Sequence, residues 1–88
     1  MVFHWPETGR RDTLAQEMRE MRGLLSAMPG CTAVDPPYIT EDGECLVGIS
    51  KWESREAFHA SGITPGRPDE IVPGETRPRQ RFFLDELR

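Results

Sequence analysis

Leu14, Met18, Met21, Leu25 and Met28 recur at intervals of four, three, four and three, which predicts one continuous helical face over residues 13–28. Glu17, Arg19, Glu20 and Arg22 occupy the opposite side, and Pro29-Gly30 ends the run. Thr13 with Gln16 fits a capping box, with Asp12 as an alternative cap. Before the helix, MVFHW is β-branched and aromatic and reads as a strand that Pro6 stops. After it, CTAVDPPYIT reads as a strand interrupted at Pro36-Pro37, because two prolines have no place in a fully paired central strand. EDGE at 41–44 supplies a hairpin turn.

ECLVGISKW is the best strand of the chain. Leu46, Gly48, Ser50 and Trp52 alternate with Cys45, Val47, Ile49 and Lys51, so both faces carry apolar residues. Ser54 caps a second short helix, REAFHAS, which Gly62 closes. The segment ITPGRPDEIVPGETRP, residues 63–78, reads as an ordered loop stiffened by proline, with Ile71-Val72 as its anchor. RQRFFLDEL reads as the last strand. The order β-α-β-β-α-β is that of an α+β, ferredoxin-like sandwich. Two helices cover only one face of such a sheet. The apolar character of the other face predicts a second copy of the chain against it.

Eighty-eight residues are expected to form one domain over 1–88, small enough that dimerisation is a natural way to gain core. The net charge of −4 opposes nucleic acid or an anionic membrane as the main partner. No apolar run approaches a membrane span and no signal peptide opens the chain, so the expected location is cytoplasmic. Cys31 and Cys45 make no metal spacing. With the hairpin turn at Asp42-Gly43, Thr40 faces Cys45 and Cys31 lies roughly 30 Å down the ladder, too far for a bridge. Both cysteines are expected to be small buried thiols.

There is no phosphate loop, dinucleotide glycine pattern, nucleophile elbow or HExxH, and two histidines are too few for a histidine-rich metal site. No metal and no cofactor are expected. What remains is a set of aromatic and hydrogen-bonding groups: Trp5 and Trp52 at strand ends, Tyr38 after the diproline, Phe82-Phe83, His4, His59, Arg79 and Arg81. Such walls with a few polar groups suit a planar aromatic ligand. The plainer readings are core for the tryptophans, surface for His59, a solvated edge for the arginines and core filler for the methionine stripe.

PGCTAVDPPYITEDGECLVGISKWESREAFHASG has a helix ending in Pro-Gly, a hairpin, a strand ending in Trp and a short helix of the S-x-E-A-F kind. In these parts the chain resembles the antibiotic biosynthesis monooxygenase family. The resemblance implies a dimeric α/β barrel of two ferredoxin-like sheets, with a pocket between each sheet and its helices. It implies further that Trp52 borders the pocket and that Phe58 lies on the helix where the quinone-forming branch can carry a tyrosine. Some members oxidise aromatic anthrones to quinones without metal or flavin, and others degrade haem. Both catalytic branches usually use an asparagine, and this chain contains none. The expected function is thus a cofactor-independent monooxygenase acting on a planar phenolic compound with dioxygen. His59 or His4 would be the base, and Trp52, Trp5, Phe58, Tyr38 and Arg81 would bind the substrate. The alternative is a non-catalytic ligand-binding or stress-associated dimer on the same fold.

Overall fold

The computed structural model describes residues 1–63 and 66–87. It contains β1 (Val2–His4), α1 (Arg11–Ser26), β2 (Cys31–Val34), β3 (Tyr38–Ile39), β4 (Leu46–Gly48), β5 (Ser50–Trp52), α2 (Arg55–Ala60) and β6 (Gln80–Arg81). Four strands form an antiparallel sheet in the order β3-β4-β1-β6, and β2 pairs with β5 in a second ladder. Joining the interrupted pairs β2/β3 and β4/β5 gives the strand order of a ferredoxin-like α+β fold.

The interruption follows from the diproline. Pro36 and Pro37 have no amide hydrogen to donate, so the ladder cannot run through them. The neighbouring Asp35 amide instead bonds the Ile49 carbonyl at 2.9 Å, and Ile49 is where the long predicted strand divides into β4 and β5. The turn is as expected: the Thr40 amide donates to the Cys45 carbonyl at 2.9 Å, and Gly43 takes a φ of 77°. The two cysteines are free and well separated in the ladders, since Cys31 faces Trp52 and Cys45 faces Thr40. Cys45 is buried, whereas Cys31 is only half-buried.

Helix α1 begins before the expected cap. The Arg10 amide already donates to the Glu7 carbonyl at 2.9 Å, and Gly9 at φ 83° lets the chain reverse there. Helical geometry is therefore set two residues upstream of Thr13, and the Arg10 side chain at the cap position makes no capping hydrogen bond among the described residues. For α2 the cap is as expected, with the Ala57 amide donating to Ser54 Oγ at 3.1 Å.

Register fixes which residues share a face. Val2 lies opposite Gly48 and Arg81, and His4 opposite Leu46. Those residues therefore point one way, towards the helices. Phe3, Val47, Tyr38 and Gln80 point the other way. The last strand is shorter than expected, with regular pairing ending at Arg81. The proline-rich segment is held at its far end rather than by Ile71, which is exposed. Glu7 donates to the Gly74 carbonyl and Thr76 to the Trp5 carbonyl, both at 2.8 Å, so residues 74–76 extend the end of β1. Residues 64 and 65 of that segment lie outside the described residues.

Candidate functional site

A cavity of about 620 Å³ lies between the helix-facing side of the sheet and the two helices. That size is in the range of small-molecule sites. The α1 stripe of Leu14, Met18, Met21, Leu25 and Met28 lines it from end to end. Of these only Leu14 is buried, so the stripe read as core filler covers the cavity wall. Phe58 from α2, 5% exposed, adds an aromatic surface, and Val2, Gly48 and Ile49 form the sheet side.

One end of the cavity is charged. His4 reaches it from β1, and Arg79 and Arg81 from the last strand and the residues before it. Behind them is Glu75, a carboxylate only 5% exposed. Arg79 grips it as a fork. Its Nε donates to Oε1 at 3.1 Å and to Oε2 at 2.8 Å, and its Nη2 donates to Oε2 at 2.6 Å. Burying Glu75 is tolerable because of that pairing. The Glu75 backbone bridges Pro6, and this places the carboxylate beside His4 rather than in solvent.

His4 Nδ1 stands 3.7 Å from Glu75 Oε1, an electrostatic contact too long for a hydrogen bond. The atom is enclosed and finds no hydrogen-bond partner among the described residues. Its pKa is pushed down to about 4, first by burial and then by the Arg79 guanidinium, with Glu75 opposing and Arg81 adding to the decrease. His4 is therefore neutral at ordinary pH, with a ring nitrogen still able to take a proton. The Arg81 guanidinium lies over the Phe58 ring, 5.7 Å from its centroid. Burial and then Arg79 hold its pKa below the usual arginine value. Among the described residues no carboxylate comes within ion-pair distance of Arg81. Two guanidinium groups and one carboxylate leave this end of the cavity with one positive charge in excess.

The structure brings His4, Phe58 and Arg81 together in this cavity and places the other sequence candidates elsewhere. Trp52 sits one layer behind the wall. Its ring meets Phe58 edge-on at 5.5 Å and 84°, and its Nε1 donates to Ser50 Oγ at 2.9 Å. Since Ser50 and Phe58 both line the cavity, Trp52 fixes the orientation of two wall residues without forming the wall. His59 is exposed on α2, its ring 6.1 Å from that of Phe83. Tyr38 lies on the opposite face of the sheet, half exposed, with its hydroxyl donating to Asp35 at 3.2 Å. Trp5 lines a different cleft of about 550 Å³ with Arg77, whose guanidinium is 4.8 Å from the indole centroid. Glu75 was not legible beforehand. It lies in a proline-rich segment where no periodicity marks a buried side chain, and only its i,i+4 spacing to Arg79 hinted at a pair. Among the described residues no three His, Cys, Asp or Glu side chains gather where they could hold a metal ion.

Fold and cavity together define a ferredoxin-like α+β protein with a small-molecule-sized, largely apolar site closed by a His–Glu–Arg group at one end. Residues 1–65 match the family described as Antibiotic biosynthesis monooxygenase. The match spans 65 of 88 residues and takes in β1, both helices and the two interrupted strands, and the chain belongs to that family. Neither the curated proteins nor the solved structures gave a match.

Proposed function

We propose that the cavity binds a planar phenolic compound as its phenolate and oxidises it with dioxygen, with His4 as the base and Arg81 as the anion holder. The observation that carries this reading is the unmatched positive charge at the His4 end of a largely apolar cavity, whose other charged lining residues are Glu17, Arg22 and Asp35. A free phenol ionises near pH 10, about six units above His4. Placing the phenolate oxygen against Arg81 lowers the first value, and neutralising that guanidinium raises the second, so both changes favour proton transfer. Glu75 is then 3.7 Å from a charged imidazolium and stabilises it.

The anion so formed is electron-rich enough to reduce dioxygen directly. For an anthrone-type CH₂ group the phenolate and the carbanion are resonance forms of one anion, so the single proton accepted by His4 accounts for both. Dioxygen adds at that carbon, and the peroxide anion so formed takes the proton back from His4 to become a hydroperoxide. Loss of water then leaves the ketone, so that R₂CH₂ and O₂ become R₂CO and H₂O. The chain contributes orientation, a dry wall of methionine and phenylalanine, and the proton relay. The second reading, a protein that binds the same phenolate without oxidising it, is favoured by how far His4 lies below the phenol in basicity.

A second copy of the chain belongs to the same proposal. Phe3 stacks on Trp5 at 6.2 Å and meets Phe82 edge-on at 5.8 Å, on the face turned away from the helices. Phe82 and Tyr38 are each about half exposed there. Absorbance-detected sedimentation with dihydroxyanthrone under nitrogen tests both parts. The phenolate band should appear below the free ionisation pH and travel with a species of twice the 10.0 kDa chain mass. Arg81→Gln should weaken binding about tenfold to a hundredfold, the loss of one charged hydrogen bond. A neutral-phenol spectrum for the bound ligand would refute the anion site, and a 10.0 kDa species would refute the dimer.

A further inference from the structure

Met18, Met21 and Met28 line the cavity along α1, and neither Cys31 nor Cys45 is among the lining residues. The oxidisable sulfur of the cavity is therefore thioether sulfur. A thioether needs no ionisation to act as a nucleophile, and it takes one oxygen atom to become a sulfoxide. The three methionines differ in access and in place. Met21 is 49% exposed, whereas Met18 and Met28 are half-buried. Met28 lies ten residues beyond Met18, about 15 Å further along the helix.

Register places Met18 nearest the charged end. A Cβ added to Gly48 would stand 3.3 Å from the Met18 Cε, so the Met18 methyl rests on the bare strand backbone and bounds the cavity there. Gly48 lies opposite Val2, and Val2 opposite Arg81. Met18 and Arg81 thus flank one row across β4, β1 and β6, roughly 10 Å from end to end at about 4.8 Å per strand. A molecule held by its oxygen at Arg81 meets the Met18 thioether at its far edge.

Building on the phenol-oxidising reading, we infer that Met18 is a modification site, whose sulfur accepts oxygen from the hydroperoxide formed in the cavity and thereby shuts the cavity down. The sulfur attacks the outer peroxide oxygen. An S–O bond forms as the O–O bond breaks, and the electron pair leaves on the inner oxygen, which takes over the hydroperoxide proton. Sulfur is oxidised and the peroxide reduced, so that R₂CHOOH and CH₃–S–R′ become R₂CHOH and CH₃–S(O)–R′. The step competes with the loss of water that gives the ketone, and it modifies each chain once. It leaves a polar S–O group beside Gly48 in an apolar wall, where a bound ring would cover it without hydrogen-bonding it.

The test follows the protein through turnover of dihydroxyanthrone under ¹⁸O₂, with catalase present to remove free hydrogen peroxide. A second sample receives ordinary hydrogen peroxide and no substrate. Trypsin cuts after Arg19 and Arg22, so each of the three methionines is weighed on its own peptide. Bulk peroxide should follow exposure and oxidise Met21 at least about threefold faster than Met18. Turnover should reverse that order, with Met18 gaining ¹⁸O at least about fivefold faster than Met21 or Met28. Met18→Leu cannot take the oxygen, and should hold half of its own initial rate over at least about threefold more turnovers than wild type. Labelling of the wild type decides alone if that variant does not fold. Quinone formation without ¹⁸O on Met18, or with labelling in the order that bulk peroxide gives, overturns the inference and leaves the phenol reading intact. Absence of both quinone and label defeats the two together.

Discussion

Replacing His4 with glutamine should slow oxidation of dihydroxyanthrone by about 10²–10⁴-fold while changing its affinity only a few-fold. Glutamine is close to histidine in size and hydrogen-bonding reach, but it cannot take a proton at any useful pH. Arg81 and the apolar wall remain, so the ligand still binds, and the loss falls on turnover. A purely structural role for His4 would instead lower binding and stability together.

The same substitution carries a signature in stability. The folded pKa of His4, about 4, lies below its ordinary value of 6.5, so between these two pH values the unfolded chain binds more protons than the folded one. Stability is therefore lost as pH falls from about 6.5 towards 4, by up to about 3 kcal/mol from this one group. Above that window His4 is neutral in both states and contributes no pH dependence. Glu75, Arg79 and Arg81 face the same ring, and the first of them opposes the shift. Urea titrations at pH 7 and pH 4.5 should show a smaller difference for His4→Gln than for wild type. An unchanged difference would mean that His4 is not held neutral by its surroundings.

The largest loss of stability is expected from Gly30→Ala, at about 2–5 kcal/mol. Two costs combine. Gly30 has φ 84°, where an L-residue is strained by about 1–2 kcal/mol. A Cβ there would also stand 2.6 Å from the Ala57 Cβ, and neither methyl has a rotamer to escape into. Overpacking of this kind costs about 1–3 kcal/mol. Ala57 neighbours Phe58 on α2, so relief by moving the helix would shift the aromatic wall of the cavity. The Gly30 carbonyl also accepts the Glu53 amide at 2.8 Å, tying the end of α1 to the start of α2. Chemical denaturation gives the value directly. A loss under about 1 kcal/mol would show that α2 is not seated on Gly30 as described.

Much of the fold can be read from the sequence because its signals are local. The α1 stripe, the Asp42-Gly43 turn, the Ser54 cap and the diproline break each depend on neighbouring residues, and each has its counterpart in the structure. The start of α1 was less legible, because the Glu7–Arg10 turn that sets it outweighs a good capping sequence at Thr13. The site was legible only in part. His4, Phe58 and Arg81 stand out by residue type, but nothing local shows that strand alternation turns His4 and Arg81 inward together. Trp52 drew attention by size and position, yet its ring is spent on Phe58 and Ser50. Glu75 depended on a long-range pairing with β1, and long-range pairing leaves no periodic trace in a loop.

Oxygen uptake with saturating dihydroxyanthrone, followed together with quinone absorbance, tests the central claim most directly. Metal chelator is included, and protein-free buffer supplies the rate of spontaneous oxidation. The cavity as described should consume one O₂ for each quinone formed, without accumulating hydrogen peroxide, at a rate proportional to protein and well above the buffer rate. Uptake indistinguishable from protein-free buffer would contradict it, and would leave this chain a binder of phenolates rather than an oxygenase.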